Sequence, residues 1–113
     1  MTNPEISVII PFLNEEENLP DLITALETFA PTMEVPIEVV FVDDGSTDGS
    51  VAVLRSMQFR HFTAQVVKLS RNFGSHAAVR AGFAAAQAPN CVWLDGCSKF
   101  GSLGYMFPKA VST

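Results

Sequence analysis

Val39-Val40-Phe41-Val42 runs without interruption into Asp43-Asp44-Gly45-Ser46-Thr47-Asp48-Gly49-Ser50. Four consecutive apolar, mostly β-branched residues fit a strand buried on both faces, the condition of a parallel sheet covered by helices. Gly45 permits a sharp reversal, and Ser46, Thr47 or Asp48 can cap the helix expected next. Asp43 and Asp44 therefore fall at the carboxyl end of a central strand. In open α/β sheets that edge is where ligands bind.

The remaining chain repeats this plan. Residues 6–13 (Ile-Ser-Val-Ile-Ile-Pro-Phe-Leu) form a first continuous apolar strand, and Pro11, which cannot donate to a ladder, marks where its pairing ends. Leu19, Leu22, Ile23, Leu26 and Phe29 then recur at helical spacing, with Pro20 in the tolerated first turn and Pro31 as the stop. Val51, Leu54 and Met57 mark a second helix, and a third strand is expected over 64–69. An alanine-rich helix follows from His76 to Gln87, in which Ala78 and Gly82 leave room for close approach to the sheet. A fourth strand over 91–94 ends at Asp95. The resulting β-α-β-α-β-α-β order predicts an α/β three-layer sandwich with a parallel, Rossmann-like sheet. Each strand delivers polar residues to one edge: Asn14-Glu15, Asp43-Asp44, Arg71-Asn72 and Asp95.

Composition narrows what that edge serves. Twelve acidic against seven basic residues give a formal charge of −5 with no basic patch, which argues against nucleic acid as a partner. No run is long and apolar enough for a bilayer and no leader is evident, so a soluble, cytoplasmic chain is expected. Cys91 and Cys97 are too few for a disulfide framework and have no zinc-site spacing.

Several site types are disfavoured by the residues themselves. There is no Gly-x-Gly-x-x-Gly after the first strand, and Glu15-Glu16-Glu17 would repel a pyrophosphate at that helix start. Asp44-x-Ser46-x-Asp48-Gly49 matches the opening of an EF-hand loop, but Arg55 stands where the bidentate glutamate belongs and a strand precedes it. A receiver-type phosphate site would place its acidic cluster after the first strand, which here ends in Pro11. An acidic edge still suits a nucleotide when one carboxylate accepts from base or ribose and another helps hold a divalent cation on the diphosphate.

Residues 7–19 (Ser-Val-Ile-Ile-Pro-Phe-Leu-Asn-Glu-Glu-Glu-Asn-Leu) and 42–49 (Val-Asp-Asp-Gly-Ser-Thr-Asp-Gly) resemble the opening blocks of family 2 glycosyltransferases with the GT-A fold. Leu69-Ser70-Arg71-Asn72-Phe73-Gly74 before an alanine-rich helix is similar to the branch that transfers sugars to polyprenyl phosphates, including dolichyl-phosphate mannosyltransferases. The resemblance covers residues 6 to about 95. It implies a nucleotide pocket lined by Pro11, Asn14 and Glu15, a base held by Asp44 with support from Asp43, and Arg71 near the phosphates. It also implies Asp95 as a ligand for Mg²⁺ or Mn²⁺, a UDP- or GDP-linked sugar as donor, and a polyprenyl phosphate as acceptor at the cytoplasmic membrane face. The catalytic base is not identified by any matching residue.

The resemblance stops after Asp95. Cys97 stands where a second metal-binding aspartate is expected, and a thiol is a poor ligand for a hard cation, so weakened metal binding is expected. Residues 101–109 show neither helical nor strand period. The sequence therefore divides into a nucleotide-sugar-binding half domain, 1–95, and an atypical tail, 96–113. This is the expected donor half of a truncated GT-A domain, whose uncovered sheet edge would invite self-association. The alternative is a catalytically silent nucleotide-binding or interaction domain.

Overall fold

The computed structural model describes residues 3–94 and 103–108. Its elements follow in the order β1 (Ile6–Phe12), α1 (Leu19–Phe29), a 3₁₀ turn (Ala30–Met33), β2 (Ile37–Asp43), α2 (Ser50–Ser56), β3 (Thr63–Lys68), α3 (Ser75–Ala85), β4 (Asn90–Leu94) and β5 (Leu103–Pro108). One sheet in the order β3-β2-β1-β4-β5 holds all five strands. The first four are parallel, and β5 pairs antiparallel with β4.

Both faces of the sheet are covered, which explains why β1 and β2 do not alternate. Val8, Ile10, Phe12, Val39 and Phe41 pack with Leu19, Ile23 and Leu26 of α1 and Leu54 of α2. Ile9, Val40, Val42 and Cys91 pack on the other side with Ala78 and Ala86. α3 lies close because Gly82 has no side chain: a Cβ there would run into Cγ2 of the fully buried Ile9. The helix backbone then lies directly on the Ile9 and Val42 side chains of the sheet, in agreement with the expectation from Ala78 and Gly82.

Chain order creates a crevice. The connection through α1 carries the chain from β1 to β2, whereas α3 carries it from β3 back across to β4, on the other side of β1. Strand order thus reverses between β1 and β4, and such a switch point opens a crevice at the carboxyl ends of the strands. A hollow of about 330 Å³ lined by Pro4, Pro36, Ile37, Phe59 and Phe62 lies at the opposite, amino end, away from the polar loops.

Two expectations about local structure change. Leu103–Pro108 had no strand period, yet it is a strand. The free outer edge of β4 offers unpaired backbone groups, and pairing with them overrides weak local pattern. The edge of β4 is consequently covered, and β3 and β5 are the sheet's outer strands. The second helix starts later than its candidate caps suggested: Gly49 is its N-cap residue, and Asp48 Oδ1 accepts from the Ser50 N–H at 3.0 Å.

A loop near the amino end is held by one carboxylate. Glu27 accepts from the backbone N–H of Arg60 at 3.0 Å and of His61 at 3.0 Å, with His61 Nδ1 at 3.6 Å. Burial pushes the Glu27 carboxyl up, but the two N–H groups and the His61 charge outweigh it and hold the group below its ordinary value of 4.5. A carboxyl lowered in the folded state stabilises above its unfolded value and loses that contribution as pH falls through the folded one. Glu27→Gln is therefore expected to lower stability slightly at pH 7, by less than about 1 kcal/mol given its partial exposure. The difference from the parent chain should close as pH falls below 4.5, which thermal melts across that range would check.

Candidate functional site

The site is built from three loops that leave the carboxyl ends of β1, β2 and β3. The strand ladder already brings the first two together: the Asp44 N–H donates to the Phe12 carbonyl at 2.9 Å, extending the pairing of β1 and β2 by one residue. The Leu69 N–H donates to the Asp43 carbonyl at 2.9 Å and ties in the third.

Beyond the strands, side chains take over. Asn14 adopts a left-handed backbone at φ 53°, which asparagine tolerates better than most residues. In that pose its Oδ1 accepts from the N–H of Thr47 at 2.8 Å and of Asp48 at 3.3 Å, while its own N–H donates to Ser46 Oγ at 2.9 Å. The Glu15 N–H donates to Ser50 Oγ at 3.0 Å, and the Glu16 N–H to Asp48 Oδ2 at 3.2 Å. Glu16 Oε1 accepts in return from the Gly49 N–H at 2.9 Å. The first and second loops are thus laced along their length. Glu16 and Asp48 do that lacing, and hydrogen bonds from the Ser50 hydroxyl hold the Asp48 carboxyl below its ordinary value despite an opposing desolvation effect.

The second and third loops meet at Gly45. It has φ +87°, and a Cβ built on it would stand 2.5 Å from the Asn72 nitrogen and 2.6 Å from the Arg71 carbonyl carbon. Only a residue without a side chain allows that approach. Asp44, 6% exposed, accepts the Phe73 N–H on Oδ1 at 2.9 Å. Its neighbour Asp43 is fully buried; Oδ1 accepts from the Ser46 N–H at 2.8 Å, and Oδ2 has no hydrogen-bond partner among the described residues. The two adjacent carboxylates therefore differ in task, Asp43 shaping the turn and Asp44 joining two loops.

Of the sequence-based site residues, Asn14, Glu15, Asp43, Asp44 and Arg71 all lie on these three touching loops. Pro11 is a buried residue of β1, paired with Val42. Glu15 Oε1 accepts from Asn18 Nδ2 at 2.7 Å. Arg71 is exposed, with its guanidinium carbon 5.6 Å from the centroid of the Phe73 ring. Asp95 and Cys97 lie outside the described residues. Among the described residues no three acidic, histidine or cysteine side chains are grouped so as to hold a metal ion, and no helix is long and apolar enough to cross a membrane. Sequence reasoning missed Ser46 and Ser50 as inter-loop acceptors and Phe73 as an exposed ring at the rim. It also missed a buried polar cluster around Glu38 at the far end of the strands.

Residues 7–96 match the family model described as glycosyl transferase family 2. The chain is 41% identical over 91 residues to undecaprenyl-phosphate 4-deoxy-4-formamido-L-arabinose transferase from Pseudomonas paraeruginosa, covering 80% of this chain and 27% of that protein. It is 38% identical over 91 residues to the protein of the same name from Aeromonas hydrophila, covering 80% and 28%. The chain thus spans little more than a quarter of the length of these relatives. Among solved structures, S. aureus TarS in complex with UDP-GlcNAc is similar with a TM-score of 0.69 and 25% identity, over 81% of this chain and 26% of that one. Mannosyltransferase PcManGT from Pyrobaculum calidifontis in complex with GDP-Man and Mn²⁺ gives 0.66 and 25%, over 85% and 28%.

Proposed function

Because this chain belongs to glycosyl transferase family 2, we propose that it forms the part of such an enzyme that receives the nucleotide of a UDP- or GDP-linked sugar. The sugar's acceptor is then a polyprenyl phosphate, met by the full-length protein at the cytoplasmic membrane face. The observation that carries this reading is the lacing of three loops into one edge, with the Asp44 carboxyl group sunk to 6% exposure where two of them are joined. A preformed, largely desolvated acceptor of this kind is suited to the N–H edge of a nucleobase.

The residues take distinct roles. Asp44 accepts from the base through the oxygen not given to Phe73. Asp43 holds the turn that presents Asp44. Pro11, Asn14 and Glu15 line the same pocket from the β1 side, with Asn14 keeping the two loops in register. Arg71 supplies positive charge for the diphosphate on an otherwise acidic edge.

In this reading Asp95, a hard oxygen donor next in sequence after Leu94, would hold a divalent cation, while Cys97 is a poor second ligand for Mg²⁺ or Mn²⁺. When bound, such a cation supplies Lewis-acid stabilisation of the leaving diphosphate. The relatives are named for undecaprenyl phosphate, and an acceptor of that class is what this reading assigns to the full-length protein.

Isothermal titration with UDP and GDP in the presence of Mn²⁺ tests the assignment. The chain is expected to bind, and Asp44→Asn, which keeps the Phe73 bond but puts a donor where the base needs an acceptor, is expected to bind about tenfold more weakly. Equal binding by parent and Asp44→Asn would refute the role of Asp44. Absence of heat from the parent chain at millimolar nucleotide would refute the reading as a whole.

A further inference from the structure

Phe73 is the most exposed large apolar side chain among the described residues, at 53%. Its surroundings are those of a fixed loop. The Phe73 N–H is spent on Asp44 Oδ1 at 2.9 Å, and the Gly74 N–H donates to Asn72 Oδ1 at 3.0 Å. Gly74 bends the chain at φ +97°, with no atom within 4 Å of where a Cβ would stand. Upstream, the backbone of Arg71 and Asn72 is pressed against Gly45. The loop is therefore anchored at two points on the loop after β2, while the ring it carries stays half exposed with the Arg71 guanidinium over it, 5.6 Å from its centroid. Keeping a phenyl ring exposed forgoes the stabilisation of burial, so a rigid loop that does so is suited to a ligand that covers the ring.

Resting on the reading of Asp44 as the base acceptor, we infer that Phe73 is the stacking wall for the donor's nucleobase, with the Arg71 guanidinium that lies over the ring available to the diphosphate. The Phe73 N–H is bound to the carboxyl group that receives the base, so base edge and base face are read by two loops joined at that bond. A nucleoside diphosphate gains from both side chains, since its base stacks on an aromatic ring and its phosphates pair with a guanidinium. A plain hydrocarbon would gain only from the ring and would leave the cation unused. The geometry also separates two tasks. Asp44 discriminates by hydrogen bonding, whereas stacking is tolerant of base identity, so Phe73 adds affinity for UDP and GDP to a similar degree.

The test is titration of the parent chain, Phe73→Ala and Phe73→Trp with UDP, GDP and inorganic pyrophosphate, each with Mn²⁺. Phe73→Ala is expected to weaken both nucleotides about tenfold and to leave pyrophosphate unchanged, while Phe73→Trp retains parent affinity. Its melting temperature should match the parent's, because the lost ring is exposed. Parent-like nucleotide binding by Phe73→Ala would overturn the inference alone, leaving the nucleotide assignment intact. So would an equal loss for nucleotide and pyrophosphate. A parent chain that binds neither nucleotide would overturn both.

Discussion

Replacing Gly45 with alanine is expected to lower stability by about 3 kcal/mol and to abolish measurable nucleotide binding. Two independent costs add. A non-glycine residue held at φ +87° is strained by roughly 1–2 kcal/mol. The new methyl group must also displace the backbone of Arg71 and Asn72, for which overpacking costs of about 1–3 kcal/mol are typical. Backbone, unlike the end of a flexible side chain, has nowhere inexpensive to go. The third loop would be pushed off the second, and the Asp44–Phe73 hydrogen bond would break with it. Thermal unfolding should show a midpoint lower by on the order of 12 °C for a domain of this size. A variant that melts within a degree or two of the parent would show that the loops do not pack as described.

The second large effect lies at the other end of the strands. Glu38, 3% exposed, is enclosed by donors: the Ser7 hydroxyl at 2.7 Å and the Gln87 N–H at 3.0 Å on Oε1, and Gln65 Nε2 at 2.7 Å on Oε2. Ser7 Oγ passes the network on by accepting the Ala88 N–H at 3.2 Å, and Gln65 Nε2 also donates to the Ala85 carbonyl at 2.8 Å. One side chain thus fixes β1, β2 and β3 to the backbone that ends α3. Glu38→Ala leaves several buried donors without acceptors, and a loss of about 3–4 kcal/mol is expected. Glu38→Gln keeps one carbonyl oxygen for Ser7 and Gln87 and faces only Gln65 with the wrong group, so about 1 kcal/mol is expected. Denaturant melts of the two variants would separate a polar network from a simple volume effect, under which the isosteric Glu38→Gln would cost almost nothing.

Glu38 also shows where sequence reading gives out. The apolar runs of β1 and β2 point directly to a doubly covered sheet, and Pro11, Gly45 and the residues after each strand mark the ligand edge. A charged residue inside an apolar strand signals a buried polar partner, but its partners Ser7, Gln65 and Gln87 are 31, 27 and 49 residues away. Separation of that order leaves no local pattern. The same holds for Ser46, legible only as a candidate cap, and for Ser50, whose hydroxyls both serve the loop after β1. Leu103–Pro108 shows the opposite failure, a stretch with little period of its own that becomes a strand because β4 presents an edge. The resemblance gives the base to Asp44 with Asp43 in support, and both side chains are buried, at 6% and 0% exposure. Their separate hydrogen-bond partners, the Phe73 N–H for Asp44 and the Ser46 N–H for Asp43, left no mark in the sequence.

The central claim is that the loops after β1, β2 and β3 form a single nucleotide-receiving edge. Amide chemical-shift mapping of the labelled chain during titration with UDP and Mn²⁺ tests it directly. Shifts concentrated at residues 12–15, 43–50 and 71–74, with none around Phe59 and Phe62 at the opposite end, are the predicted result. Shifts confined to one of the three loops, or centred on the hollow beside Pro36 and Phe62, would contradict it.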